Sequence, residues 1–122
     1  MARVLIAASS DEVRPAVVGA LSEAGHDVEH VASGSEALAR LAVSVFDIVI
    51  TDLAMRGLSG IDLLKALRSA SPLMKVVAYA GTGGDVSANT MLLAAQAFGA
   101  DRILYLPFSR DEILAAVAAL SA

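Results

Sequence analysis

The chain is poor in several residue types that carry chemistry. Its 122 residues include no cysteine, no tryptophan and only two histidines, and aromatic residues make up 4% of it. Without cysteine the chain has no disulfide framework, no thiolate metal ligand and no cysteine nucleophile. His26 and His30 are too few for a catalytic constellation. The absence of disulfides fits a reducing compartment, and we expect a cytoplasmic protein.

Basic residues and long hydrophobic runs are also scarce. Nine lysines and arginines stand against 13 acids, for a net charge of -4, and this excludes nucleic acid as a direct partner because phosphate contacts need a basic patch. The longest charge-free stretch, residues 86–100, is too short to span a bilayer, although 57% of the chain is hydrophobic. The apolar run after Arg3 is too brief for a signal peptide. We expect one domain, residues 1–122, that does not enter a membrane.

Short apolar runs alternate with longer segments that have helical periodicity. Four apolar runs predict buried parallel strands at residues 4–8, 48–51, 76–80 and 103–106. The mixed segment 26–31 predicts an edge strand. Together they predict an α/β fold, a single doubly wound five-stranded parallel sheet with helices on both faces.

The helix boundaries are marked by serines and glycines. A serine followed three residues later by an acid is typical of a helix start, because the serine accepts a backbone N–H while the acid reaches back. This pattern predicts starts at Ser9, Ser33, Ser59 and Ser109. Helices are predicted to end at Gly25 and Gly99.

One acid, Asp52, ends the third apolar run and precedes a glycine-bearing loop, residues 53–60. Ligands of parallel α/β domains bind outside the carboxyl ends of the strands, so this carboxylate is placed for chemistry. Three further motifs follow the same order of elements: Ala-Ser-Gly at 32–34 with Glu-Ala-Leu at 36–38, Gly-Ala-Asp at 99–101, and Pro-Phe at 107–108.

With these motifs the chain resembles, over essentially its whole length, the receiver domain of bacterial two-component response regulators. The resemblance implies a flavodoxin-like (βα)5 fold and a signalling module, not an enzyme. It also implies that Asp52 accepts a phosphoryl group from a histidine kinase. In such receivers two acids ending the first strand hold Mg²⁺, a hydroxyl ending the fourth strand contacts the phosphate, and a lysine ending the fifth strand pairs with it.

The chain departs from the family at these helper positions. The acid pair is replaced by Ala8 and Ser9, the switch hydroxyl by Ala80, the lysine by Leu106, the loop proline by Arg56, and the strand-five aromatic by Ile103. Each lost charge pair is worth about 4 kcal/mol before desolvation at an effective dielectric of 20. No metal ligand set remains, so we expect Mg²⁺ binding to be weak or absent, and ordinary Mg²⁺-dependent phosphorylation with it.

Two interpretations of Asp52 follow. It either orders its loop by accepting backbone N–H groups, or it still accepts a phosphoryl group with Asp11, Arg56 or Thr82 as stand-ins. Ser9 is expected to keep the cap of the first helix and to lose the metal. An α/β enzyme or nucleotide-binding domain is a third possibility, but the chain has no base–nucleophile pair and no complete phosphate-binding motif.

An interaction surface is indicated by missing charges. The predicted fourth helix, residues 86–98, and the stretch 113–122 of the fifth carry no charged residue, whereas the first three helices keep charges expected to be exposed, such as Arg68. In receivers the fourth helix, fifth strand and fifth helix form a face that dimerises or docks targets. We therefore expect a protein partner, a histidine kinase or downstream target, or a homodimer at this face. The expected contacts are Met91, Leu92, Gln96 and Tyr105, with the outer alanines.

Overall fold

The computed structural model describes residues 2–55, 57–82 and 86–121, and these form five strands that alternate with five helices. The strands are β1 (Arg3–Ala7), β2 (Asp27–Val31), β3 (Ile48–Asp52), β4 (Lys75–Thr82) and β5 (Arg102–Leu106). The helices are α1 (Val13–Glu23), α2 (Gly34–Val43), α3 (Gly60–Ala70), α4 (Val86–Ala97) and α5 (Arg110–Ser121). The predicted α/β alternation is confirmed. No helix in the described ranges is both long enough and apolar enough to cross a bilayer.

The strands form one parallel sheet in the order β2-β1-β3-β4-β5. The edge position of β2 is confirmed. The strand predicted at residues 103–106 is confirmed as β5, but its predicted burial is wrong, because β5 is the other edge and leaves Tyr105 42% exposed. An apolar run shows that a strand is covered on its faces, and it does not show whether a further strand pairs with it.

Two hydrophobic cores lie on opposite faces of the sheet. One core is covered by α2, α3 and α4, and includes Leu5, Val49, Ala78 and Ala80 from the strands. The other is covered by α1 and α5, and includes Ile6, Ile50, Val77 and Tyr79. Successive strand residues alternate between these cores, which is why the central strands are apolar without interruption.

Three of the four serine-marked helix starts are as predicted. Ser33, Ser59 and Ser109 each accept the backbone N–H three residues later at 3.1–3.2 Å. At Ser109 the cap is reciprocal, because its own N–H donates to the Glu112 carboxylate at 3.1 Å. Gly25 and Gly99 end α1 and α4 in the left-handed region, with φ of 91° and 99°.

The predicted cap of α1 is wrong by one residue. Ser10, not Ser9, accepts the backbone N–H groups of Glu12 and Val13, at 3.2 and 3.1 Å. The spacing of three residues to an acid fits Ser9 and Glu12, whereas the third residue after Ser10 is Val13, so the sequence pattern selected the wrong serine. The consequence is that Ser9 is left free of a capping role and lies at the site described below.

Two clusters of polar contacts hold the sheet edges and connections. On the β2 edge, Arg3 contacts Asp27 at 3.3 Å and Glu29 at 2.8 Å, and Arg40 contacts Glu29 at 2.9 Å.

Arg68 of α3 was expected to be a solvated charge, but its side chain is only 21% exposed. Its guanidinium donates to the carbonyl groups of residues 72, 74 and 99 and to the Asp101 carboxylate. Arg68 therefore fixes the connection between α4 and β5.

Candidate functional site

Asp52 ends the central strand β3 at the carboxyl edge of the sheet, as predicted. It is 9% exposed and is the only buried acid among the described residues. Its Oδ1 accepts the backbone N–H of Ala54 at 2.8 Å, so the carboxylate does order the loop that follows. Gly60 packs against the Asp52 carbonyl oxygen with no room for a Cβ, which requires glycine at the start of α3.

The environment of Asp52 favours its neutral form. Burial raises the pKa of Asp52 above its ordinary value. The Ala54 N–H and, to a smaller extent, the Ser9 side chain oppose this rise by interacting with the carboxylate. Ser9 therefore lies close enough to the acid to lower its pKa, and it is not the cap of α1 that the sequence predicted.

The strand register decides which side chains stand beside Asp52. Because Ile50 faces the core under α1 and α5, strand alternation places Asp52 on that same face. The pairing of Ala7 with Thr51 places Ala8 next to Asp52 on one side, and Tyr79 is its register partner on the other. Ala8 and Tyr79 are both fully buried.

The described positions at which the chain differs from the family's phosphorylation site contribute no charge beside Asp52. Ala8 and Leu106 pack in the same core as Tyr79, on the side of Asp52. Ala80 is fully buried on the opposite face, against α3 and α4. Among the described residues, no group of three or more His, Cys, Asp or Glu side chains is arranged to hold a metal ion. At the two positions where the resemblance implies the acid pair, the chain has the methyl group of Ala8 and the hydroxyl of Ser9.

Of the three expected stand-ins, the structure describes the side chain of Asp11 alone. The carboxylate of Asp11 pairs with Arg14 at 2.6 Å and is 90% exposed, so it faces solvent. Arg56 lies outside the described residues. The backbone of Thr82 ends β4 after a register shift against β5, and its side chain lies outside what the structure describes.

Sequence reasoning missed Arg14. Its Nη1 donates to the carbonyl oxygen of Ala8 at 2.7 Å, and its side chain is 17% exposed. The guanidinium of α1 is thereby fixed at the end of β1, the place that the acid pair occupies in the family. The only sequence signal was an arginine in the first turn of the helix after β1.

Sequence reasoning also missed Tyr79. Its ring packs edge-on against Phe108, with centroids 5.4 Å apart and an interplanar angle of 74°. Its hydroxyl is the only buried side-chain polar atom in the described part of the chain that lacks a hydrogen-bond partner. Burial and the negative charge of Asp52 raise the pKa of Tyr79 well above its usual range, and the Arg14 charge opposes them. A lone tyrosine in the otherwise aliphatic run 76–80 was the available signal.

The expected interaction surface is changed by the structure. Leu92 is wrong as a contact residue, because it is fully buried in the core, and Met91 is partly buried. Gln96 and Tyr105 are exposed as expected. Leu93, three residues before Gln96 on α4, is 66% exposed and was missed. A helix without charged residues offers no polar side from which its buried side can be read.

The fold and the site together define a doubly wound, flavodoxin-like signalling domain with one carboxylate at the carboxyl end of its central strand. The sequence profile of the response regulator receiver domain matches residues 4–118, and the chain belongs to that family. It is therefore a receiver domain of two-component signal transduction.

Individual relatives agree with this assignment. The transcriptional regulatory protein TcrA of Mycobacterium tuberculosis is 31% identical over 98% of the chain, and the chain spans about half of its length, 46%. The response regulator receiver protein CpdR of Brucella abortus is 32% identical over 66% of the chain and 68% of its own length. The structure of the chemotaxis response regulator CheY4 of Vibrio cholerae is 30% identical and covers 98% of both chains, with a TM-score of 0.84.

Proposed function

We propose that this receiver domain works as a protein-interaction module whose state is not set by Mg²⁺-dependent phosphorylation. The observation that supports the proposal is the row Ala8, Asp52 and Tyr79 across three neighbouring strands. In that row the acid is flanked by a methyl group and a phenol, and Leu106 adds a further apolar side chain on the same face. Within this row Asp52 thus has no second carboxylate with which to hold a dication.

Electrostatic magnitudes support the same conclusion. Mg²⁺ dehydrates reluctantly and is held by carboxylates together with phosphate oxygens. Removing one of two acids that face a dication costs about 4 kcal/mol of attraction per charge pair at an effective dielectric of 20, before desolvation. The burial that raises the pKa of Asp52 weakens its carboxylate as a ligand still further.

Intact-mass spectrometry after incubation with a small-molecule phosphodonor and excess MgCl₂ tests this proposal. We expect the native chain to show no phosphate adduct. An adduct that disappears in Asp52→Ala would overturn the proposal and establish the alternative, a phospho-switch at Asp52. The double variant Ala8→Asp, Ser9→Asp is the matched control, because it returns two carboxylates and should bind Mg²⁺ in a calorimetric titration.

We further propose that the protein contact of this module is made by the α4–β5 surface, defined by Leu93, Gln96 and Tyr105. Leu93 and Tyr105 are 66% and 42% exposed, and α4 carries no charge. Two copies of a chain with a net charge of -4 repel each other least where no acids face the partner. A second copy is therefore the occupant that we assign to this surface.

Sedimentation velocity over a range of concentrations tests the surface. We expect self-association that Leu93→Glu or Tyr105→Glu abolishes, since each variant places a carboxylate in the contact. Leu73→Glu is the control, because Leu73 is 91% exposed in the α3–β4 connection and is not one of the residues that define the α4–β5 surface. A native chain that stays monomeric at all concentrations would overturn the assignment.

A further inference from the structure

The Tyr79 hydroxyl presents an energetic problem that packing alone does not resolve. A buried hydroxyl without a hydrogen-bond partner costs about 1–3 kcal/mol, and phenylalanine would fill the same space without that cost. Tyr79 is fully buried, and its hydroxyl has no partner among the described residues. The hydroxyl therefore stabilises nothing in this conformation.

The surroundings of the phenol are asymmetric in charge. Asp52, its register partner, supplies a negative charge from β3, and Arg14 supplies a positive charge from α1. A negative charge attracts the hydrogen of a neighbouring O–H dipole, and a positive charge attracts its lone pairs. The orientation of the Tyr79 hydroxyl thus depends on the charge of Asp52.

The ring of Tyr79 connects Asp52 to the surface of the domain through a chain of contacts. Its edge contacts the ring of Phe108, in the connection between β5 and α5. Phe108 also lines a cleft of about 250 Å³ between α1 and α5, together with Ala16, Val17 and Ile113. A movement of the Tyr79 ring is therefore transmitted to the floor of this cleft.

The opposite face of the sheet lacks an equivalent polar path. The position that carries the switch hydroxyl in the family is Ala80, and the aromatic position of β5 is Ile103. Both are apolar and pack in the core under α2, α3 and α4. The buried polar side chain on that face within the described part of the chain is Thr51, and its hydroxyl is already engaged, because it donates to the Asp52 carbonyl oxygen at 3.1 Å.

We propose that Tyr79 is a positioning residue that couples the charge of Asp52 to the face of the sheet covered by α1 and α5, through Phe108 and Arg14. The inference rests on the proposed function, because it takes Asp52 as the signalling position of the module. It directs the response away from α4, toward the cleft lined by Val17, Phe108 and Ile113.

NMR shift mapping of Asp52→Asn, which removes the charge but keeps the shape of the side chain, tests the coupling. We expect shifts at Val17, Phe108 and Ile113, and little change at Leu92 in the opposite core. When Asp52→Asn is made in a Tyr79→Phe background, the chemical-shift changes near Ala54 should remain, and those at Ile113 should disappear. Shifts at Ile113 that persist without the hydroxyl, or that spread to Leu92 instead, would overturn the proposal.

Ultraviolet absorbance tests the effect of the Asp52 charge on Tyr79 separately from the contact between Tyr79 and Phe108. In a Tyr105→Phe background Tyr79 is the only phenol, so its ionisation can be followed by ultraviolet absorbance. Asp52→Asn is expected to lower the pKa of Tyr79, and an unchanged pKa would contradict the coupling. Phe108→Leu should keep this pKa change while losing the shifts at Ile113. Neither measurement uses Mg²⁺ or a phosphodonor. A phosphate adduct at Asp52 would therefore overturn the proposed function, whereas the coupling through Tyr79 is decided by the NMR and absorbance measurements alone.

Discussion

Asp52 and Tyr79 are register partners of β3 and β4, and the backbone N–H of Leu53 donates to the Tyr79 carbonyl oxygen at 2.9 Å. This pairing holds a buried carboxyl beside a buried phenol. Burial raises the pKa of both groups, so both are driven toward their neutral forms. The site thus disfavours charge at the position where the family uses it.

The first prediction concerns Asp52→Asn and pH. Because the folded-state pKa of Asp52 is raised, its contribution to stability is fully present below the unfolded pKa and is lost as pH rises through the folded pKa. The variant should therefore be more stable than the native chain at neutral pH, by about 1.4 kcal/mol for each unit of pKa elevation, and should lose this advantage near pH 4. Urea denaturation at both pH values measures the difference.

Asp111→Asn is the control for this prediction. Asp111 is exposed in the first turn of α5, where a negative charge interacts favourably with the helix dipole. Its loss should lower stability slightly at neutral pH. An Asp52→Asn variant that is also less stable at neutral pH would show that ionised Asp52 is stabilised by its surroundings.

A second prediction contrasts two glycines. A Cβ at Gly60 would meet the backbone of Asp52 and Leu53, so Gly60→Ala should lower the free energy of unfolding by about 3 kcal/mol. A Cβ at Gly19 in α1 would meet nothing within 4 Å, so Gly19→Ala should raise it by about 0.5–1 kcal/mol. Chemical denaturation compares the pair, and equal effects would contradict the close approach at Gly60.

Arg68 gives a third prediction. Its guanidinium donates to the Gly99 carbonyl at 2.6 Å and to the Asp101 carboxylate at 2.8 Å, among other contacts. Arg68→Ala should lower the free energy of unfolding by about 2–3 kcal/mol, since hydrogen bonds to charged groups are lost with their acceptors left partly buried. Arg102→Ala, at an exposed residue of β5, should change it by less than about 0.5 kcal/mol. Thermal unfolding of the two variants provides the comparison.

The fourth prediction separates the two serines before α1. Ser10→Ala removes the acceptor of two backbone N–H groups and should lower stability by about 1 kcal/mol. Ser9→Ala should leave α1 intact and raise the pKa of Asp52, because it removes an interaction that lowers this pKa. Circular dichroism on denaturation and NMR titration of the Asp52 carboxyl measure these effects. A larger loss of helix stability in Ser9→Ala would restore the sequence-based assignment of the cap.

The strands and helix starts could be predicted because each depends on the residues of one short segment. The apolar run 48–51 and the acid after it place Asp52 without any knowledge of its neighbours. Ser109 and Glu112 mark the start of α5 within four residues of each other. Features of this kind depend on backbone hydrogen bonding and alternation, which a single segment determines.

The neighbours of Asp52 could not be predicted in the same way. That Tyr79 lies beside it depends on the register between β3 and β4, which are separated in the chain by the whole of α3. The contact of Arg14 with Ala8 depends on where α1 begins. The buried position of Leu92 depends on the rotation of a helix that has no polar side to identify it.

The charged edge formed by Asp27, Glu29 and their arginine partners limits how copies of the domain can associate. An open fibre built by adding sheets end to end requires the β5 rim of one copy to meet the β2 rim of the next. Charges along the β2 rim block that step, as they do at protected edges generally. If two copies paired through their β5 edges, they would consequently form a two-fold dimer. The charged β2 edge of each copy would then face outward, and no third copy could add.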